Sequence, residues 1–87
     1  MNWYAYRIYY FDEVTTTNDF DYGAIHAQFL SDAVEETTKM YGEDNIESVE
    51  FRWIDDSPCL SANDMKTITH WAQTGEWKVI QNENDSE

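Results

Sequence analysis

The chain has 87 residues with 18 acidic and 5 basic side chains, which give a formal net charge of -13. This length allows one domain with one small core, so a large active site built from several parts is not expected. The negative charge disfavours direct binding to nucleic acid or to an anionic membrane surface, because each phosphate contact needs a cation. Acidic chains are often disordered, but 16% of these residues are aromatic, which supplies apolar surface for a folded core.

The cysteine content and the amino terminus indicate where the protein works. Cys59 is the only cysteine, which excludes an internal disulfide, a two-cysteine redox motif and a cysteine-rich zinc site. The amino terminus has no basic segment followed by an apolar stretch. The longest apolar run, Ile8 to Phe11, is far shorter than the roughly 18 residues of a membrane span. We therefore expect a soluble, cytoplasmic protein.

The first part of the chain predicts a β-hairpin. Trp3 to Phe11 is aromatic and β-branched, and its alternate side chains fall on opposite faces of a strand. A polar segment follows and ends in turn-forming residues, after which Phe20 to His26 alternates again. A second interpretation begins the first helix at Gly23, because residues 23–28 fit either a strand or a helix.

Helical spacing predicts the first helix from Leu30 to Tyr41, with Gly42 placed to end it. Residues 46–54 alternate as a third strand, and this alternation places Val49, Phe51 and Trp53 in the core.

The last part of the chain predicts a second helix and a short strand. Ser61 and Asp64 have the spacing of a capping box, and Gly75 is placed to close the helix that follows. Residues 77–81 predict a last strand, and residues 82–87 predict a disordered acidic tail. The order β-β-α-β-α-β indicates one α+β domain over residues 1–81, with a mostly antiparallel sheet and helices on one face.

Candidate catalytic residues are few and separate. His26, His70 and Cys59 lie in three different segments, without a nucleophile elbow or a glycine-rich turn around them. Structural roles are favoured: the histidines on a strand and on the polar side of a helix, and the cysteine packed as a small hydrophobe in a loop. We therefore expect no enzymatic activity and no cofactor.

One segment is similar to the start of a calcium loop but lacks its later ligands. Asp19 and Asp21 have the spacing of its first two acidic ligands, yet Leu30 occupies the position that should carry the closing glutamate. Neighbouring carboxylates on a strand point to opposite faces and chelate poorly. No metal site is expected.

Acidic residues are concentrated in turns and at the ends of the predicted strands. We expect them to form a partner-binding surface composed of Asp12, Glu13, Asp19, Asp21, Glu43, Asp44, Glu47, Glu50, Asp55 and Asp56. Side chains on one strand face recur about every 6.6 Å, which can imitate the ladder of one charge per about 3.4 Å along a nucleic-acid strand. Solubility and halophilic adaptation are the alternatives, although solubility calls for a net charge of only about 2 to 8 in magnitude.

The hairpin should bring the acidic residues at 12, 13, 19 and 21 to one edge of the domain. An antiparallel third strand would add the acidic residues at 43, 44 and 47 to that edge. A parallel third strand would add Asp55 and Asp56 in their place.

In size, α+β pattern and net charge of -13, and in its lack of catalytic motifs, the chain resembles the small acidic proteins that phages encode against host nucleic-acid machinery. That class includes anti-CRISPR and anti-restriction DNA mimics. The resemblance implies a stoichiometric, non-enzymatic inhibitor in the host cytoplasm that occupies the basic nucleic-acid channel of a nuclease effector. The class shares no sequence motif, so it assigns no residue.

An alternative function is an acidic interaction module that binds a host regulator or RNA polymerase without mimicking DNA. Trp3, Tyr9 and Phe11 on one face of the first strand are its candidate contacts, because a helix layer on one side leaves that face wet. Pairing of these rings with aromatic side chains on neighbouring strands is the favoured interpretation.

Overall fold

The computed structural model describes residues 1–79 as three β-strands, a short 3-10 turn and two α-helices. In chain order the elements are β1 (Asn2–Asp12), β2 (Thr17–Ala27), α1 (Leu30–Tyr41), the 3-10 turn (Glu43–Asn45), β3 (Ile46–Asp55) and α2 (Ala62–Thr74). The predicted α+β class and the order β-β-α-β-α are confirmed. The alternative that starts a helix at Gly23 is wrong, because β2 continues to Ala27. The helices among residues 1–79 are all too short or too polar to cross a membrane.

The sequence prediction also placed elements at the carboxyl end of the chain. Residues 77–79 form no strand, although a strand over 77–81 was expected. The remainder of that segment and the predicted tail at 82–87 lie outside the described residues.

The sheet is antiparallel with the order β2-β1-β3, so β1 is the central strand. Tyr4 of β1 lies opposite Ile25 of β2 and Trp53 of β3. Both faces of β1 carry buried side chains, namely Tyr4, Ala5, Tyr6 and Ile8. A strand that is apolar on both faces needs cover on both sides, which explains its central position.

The two helices lie on opposite faces of the sheet, whereas the sequence predicted them on one face. Ala33 of α1 packs in one buried cluster with Tyr4. Ile68 and Trp71 of α2 pack in a second cluster with Ala5. Successive strand residues point to opposite faces, so these clusters lie on the two sides of the sheet. The side of the sheet that carries Tyr4 and is covered by α1 is called the α1 face, and the side that carries Ala5 and is covered by α2 is called the α2 face.

The third strand is less buried than its alternation predicted. Val49 and Phe51 are half-buried, and Trp53 is 55% exposed, so the prediction of a core tryptophan is wrong. The physical reason is the position of β3 at the sheet edge, because both helices pack mainly on β2 and β1.

The helix ends follow the local sequence signals. The Ser61 side chain accepts a hydrogen bond from the Asp64 backbone N–H at 3.0 Å, and the Asp64 carboxylate accepts from the Ser61 N–H at 3.3 Å. The predicted capping box is therefore formed. Gly42 (φ 88°) and Gly75 (φ 80°) end the two helices with positive φ, which glycine adopts without a steric cost.

Candidate functional site

Three acidic segments meet at one end of the sheet. The hairpin turn between Asp12 and Thr17 forms this end, and the first residue of β3, Ile46, lies opposite Tyr10 of β1. Because β3 is antiparallel to β1, the 3-10 turn that precedes it reaches the same end. The seven carboxylates of this end, named the negative rim, are Asp12, Glu13, Asp19, Asp21, Glu43, Asp44 and Glu47.

Three carboxylates of the negative rim share the α1 face with Tyr10. Asp19 lies directly across from Tyr10, and Asp21 lies across from Ile8. Directly opposed residues of an antiparallel pair project from the same face, and so do residues two apart on one strand, such as Tyr10 and Asp12. Burial raises the pKa of the Tyr10 phenol, and the charges of Asp19, Asp21 and Asp12 raise it further. The phenol is thus surrounded by negative charge.

Asp21 is held in place by the end of α1. The Tyr41 hydroxyl donates a hydrogen bond to Asp21 Oδ2 at 2.7 Å and lies 3.1 Å from the Tyr6 hydroxyl. The second Asp21 oxygen, Oδ1, accepts from the Tyr22 backbone N–H at 2.8 Å. Burial of the Tyr41 hydroxyl raises its pKa strongly, and its hydrogen bonds to Tyr6 and Asp21 add to the effect. Asp21 therefore has a structural role besides its charge.

No cation compensates the negative rim within residues 1–79. The two ion pairs of this part of the chain join Arg7 to Glu50 and Lys39 to Glu35, and neither includes a rim carboxylate. The carboxyl end of α1 lies beside Asp21, and a helix carboxyl end carries partial negative charge. Lys39 in the last turn of α1 pairs with Glu35, so the seven carboxylates at this end of the sheet remain without an ion pair among residues 1–79.

Three of the ten predicted partner-binding carboxylates lie outside the negative rim. Glu50 lies opposite Arg7 in the middle of the sheet and forms an ion pair with it, so its charge is compensated. Asp55 lies opposite Trp3 at the other end of the sheet, and Asp56 follows it. Asp55 Oδ1 accepts hydrogen bonds from the Ser57 backbone N–H and hydroxyl at 3.2 and 2.9 Å, which stabilise the loop after β3.

A patch of half-exposed aromatic rings lies on the α2 face at the same end as the negative rim. Tyr9, Phe11 and Phe20, named the aromatic patch, are 48%, 39% and 38% exposed. Tyr9 and Phe20 lie directly across the hairpin, with their ring centroids 4.8 Å apart. The predicted pairing of Tyr9 across strands is confirmed, but it leaves the outer ring surfaces accessible.

The aromatic patch stays open because α2 ends before reaching it. The Arg7 guanidinium donates to the Trp71 carbonyl at 3.2 Å and lies 5.1 Å from the centre of the Trp71 ring. The segment after α2 lies against β3 instead, because the Arg52 guanidinium carbon is 4.7 Å from the centre of the Trp77 ring. On this face Tyr22 is the β2 ring that packs against the α2 cluster, and the rings of the aromatic patch beyond it are each more than a third exposed.

Trp3 and the candidate catalytic residues have structural surroundings. Trp3 stacks on His26 of the neighbouring strand with centroids 4.4 Å apart, which confirms its predicted cross-strand pairing. His70 on α2 lies 3.7 Å from Glu76. Cys59 is exposed in the loop before α2, so the prediction that it packs as a hydrophobe is wrong. Residues 1–79 contain no group of three His, Cys, Asp or Glu side chains arranged to hold a metal ion.

Sequence reasoning missed three site residues, Tyr10, Tyr41 and Phe20. Tyr10 and Phe20 were assigned only to strand faces, and Tyr41 only to a helix stripe. The signal that was available is the alternation of Asp19, Phe20 and Asp21, which separates charge and aromatic surface onto two faces of one strand. The contact of Tyr41 with Asp21 joins residues 20 positions apart and has no local signal.

Comparison with known proteins gives no relative for this chain: no family model matches it, and neither a curated protein nor a solved structure is significantly similar to it.

Proposed function

We propose that the protein is a non-enzymatic inhibitor whose negative rim binds the basic nucleic-acid-binding surface of a nuclease effector. One observation supports this function above the others: carboxylates from the hairpin, the 3-10 turn and the start of β3 converge at one end of the sheet, without a compensating cation among residues 1–79. A surface of this kind attracts the Arg and Lys side chains that otherwise hold phosphates.

The spacing of these charges is compatible with mimicry of a phosphate backbone. Asp19 and Asp21 lie on one face of β2, so their side chains are about 6.6 Å apart along the strand. This interval is close to twice the roughly 3.4 Å rise per charge of a nucleic-acid strand. Cations arranged for alternate phosphates could therefore contact both carboxylates.

Repulsion within the negative rim favours binding to a basic partner. Two unit charges about 6.6 Å apart repel by roughly 0.6 kcal/mol in bulk water, and by more near a protein surface. Several such pairs destabilise the free protein, and a cationic partner removes that repulsion on binding. Binding of this type also weakens steeply with added salt.

The test measures loading of a fluorescent DNA duplex onto purified CRISPR effectors and restriction endonucleases. The inhibitor should reduce DNA binding competitively, and inhibition should weaken between about 50 and 200 mM salt, the range over which phosphate contacts lose strength. The rim variant combines Asp12→Asn, Glu13→Gln and Asp19→Asn, and it omits Asp21 because of its hydrogen bond to Tyr41. We expect a loss of several kcal/mol in binding, at about 1 kcal/mol or more per desolvated charge pair.

A matched control separates the position of the charges from their number. The variant Asp32→Asn, Glu36→Gln and Asp56→Asn also removes three negative charges, all at exposed positions outside the negative rim. It should inhibit almost as well as the unchanged protein. Equal losses in the two variants would show that net charge alone drives binding, and DNA loading that no effector loses would reject the proposed function.

The aromatic patch favours a second candidate function, an interaction module that binds a host regulator or RNA polymerase without DNA mimicry. Half-exposed Tyr9 and Phe20 resemble the aromatic anchors that dominate many protein interfaces. In that case the complex forms while the partner still binds DNA. Simultaneous binding of DNA and this protein to one partner would therefore favour the second function.

A further inference from the structure

We infer that the outer edge of β2, over residues 17–21, binds an extended segment of the basic partner in which Lys or Arg alternates with apolar side chains. The inference rests on the proposed function and specifies how the partner is recognised. Within the described sheet, β2 pairs only with β1. Its first residues Thr17, Asn18 and Phe20 are exposed, and an edge strand offers free backbone groups for an added strand.

The alternation of β2 determines the chemistry of the added segment. Asp19 and Asp21 project from the α1 face, whereas Phe20 projects from the α2 face beside Tyr9. Neighbouring strands place their side chains on the same two faces with the same period of two residues. A segment beside β2 therefore carries cations where it meets the carboxylates and apolar groups where it meets the aromatic patch.

The length of the binding edge is limited by a side chain of the protein itself. The Tyr22 backbone N–H already donates to Asp21 Oδ1 at 2.8 Å. An added strand that passed Tyr22 would compete with this bond, so pairing ends before Tyr22. The hairpin turn before Thr17 limits the other side.

A second copy of the chain is a poor occupant of this edge. Two copies would bring two sets of rim carboxylates together, each from a chain with a net charge of -13. Like charges directly opposed across strands are destabilising. The uncompensated carboxylates beside an apolar patch instead complement a segment that is both cationic and apolar.

The test uses two short synthetic peptides of identical composition. In the first, lysine alternates with leucine, and in the second all lysines precede all leucines. We expect the alternating peptide to bind the full chain about tenfold more tightly in calorimetry, because only it places every leucine on the aromatic side. Backbone N-methylation of the alternating peptide should abolish this advantage, because an N-methylated strand cannot donate to the β2 edge.

Substitutions locate the binding edge. Phe20→Ala should remove the advantage of the alternating peptide, whereas the matched control Phe29→Ala should retain it, since Phe29 is 59% exposed at the other end of the sheet. The inference is overturned by equal affinities of the two peptides, by an unchanged advantage in Phe20→Ala, or by an N-methylated peptide that binds as well. A dimer in sedimentation that Phe20→Ala dissociates would also overturn it, because a second copy would then occupy the edge.

The peptide assay and the DNA-loading assay fail independently. If both peptides bind equally and the rim variant weakens both, the electrostatic surface of the proposed function stands and only the edge-binding inference is lost. If the alternating peptide keeps its advantage while no effector loses DNA loading, the edge binds a basic segment of another kind of partner. The proposed function alone is then rejected.

Discussion

Replacing Tyr41 with phenylalanine tests whether the end of α1 anchors the negative rim. The substitution removes one oxygen atom and keeps the ring, whose centroid lies 4.8 Å from that of Tyr10 and 6.1 Å from that of Tyr6. It deletes the 2.7 Å hydrogen bond to Asp21 and the 3.1 Å contact with the Tyr6 hydroxyl. Stability and the position of Asp21 should therefore both change while the packing remains.

The size of the effect follows from these two hydrogen bonds. A hydrogen bond to a charged group contributes about 1.5 to 3 kcal/mol, and a neutral one about 0.5 to 1.5 kcal/mol. Water reaches the half-buried Asp21 and replaces part of the lost interaction, whereas the hydroxyl of buried Tyr6 is harder to rehydrate. We expect Tyr41→Phe to lower the free energy of unfolding by about 2 kcal/mol, which is roughly 10 °C in Tm for a domain of this size.

Urea denaturation followed by circular dichroism at neutral pH measures this change. Tyr9→Phe is the control, because Tyr9 is 48% exposed and its hydroxyl forms no hydrogen bond with a residue in the range 1–79. It should unfold like the unchanged protein, and the denaturant slope should stay the same in both variants. A Tyr41→Phe protein within about 0.5 kcal/mol of the unchanged chain would refute the anchoring role, since that is the scatter of ordinary surface substitutions.

Three further predictions concern stability. In the folded protein, burial is the main cause that raises the pKa of Tyr41 above its ordinary value of 10.0. The protonated Tyr41 hydroxyl therefore contributes its full free energy to stability below pH 10.0, and this contribution is lost as the pH rises further. Urea midpoints above that pH should fall less steeply in Tyr41→Phe. Ser61→Ala removes the capping box with Asp64 and should cost about 1 kcal/mol in thermal unfolding, and a Tm equal to that of the unchanged chain would contradict it. Gly23→Ala would place a Cβ atom 3.0 Å from the Tyr6 hydroxyl oxygen, so calorimetry should show a loss of at least about 1 kcal/mol from overpacking, and a gain in Tm would show that Tyr6 moves freely.

Much of the secondary structure could be predicted from local patterns. The alternation from Trp3 to Phe11 lies within β1, and helical spacing from Leu30 to Tyr41 matches the bounds of α1. The capping residue Ser61 and the terminating Gly75 set the ends of α2. These signals are local because a strand, a helix turn and a cap each depend on side chains within a few residues of one another.

The candidate site was only partly predictable. The hairpin necessarily brings Asp12 and Asp19 together, so this part of the negative rim follows from the sequence alone. The compensation of Glu50 by Arg7 does not, because these residues meet only through the pairing of β1 with β3. The exposure of Trp53 was also not predictable, since alternation shows two faces without showing which face a helix covers.

The sequence by itself determined the three strands of the described sheet, the two helices and the acidity of the turns, because each of these depends on near neighbours in the chain; it also predicted a strand over 77–81 that residues 77–79 do not form. Only the tertiary structure decided which acidic segments meet. Since α1 has 12 residues and spans about 18 Å, it returns the chain to the hairpin end, and β3 therefore starts beside the hairpin carboxylates. It also decided the helix positions: β1 is apolar on both faces, so burial of Tyr4 and Ala5 requires one helix on each side of the sheet.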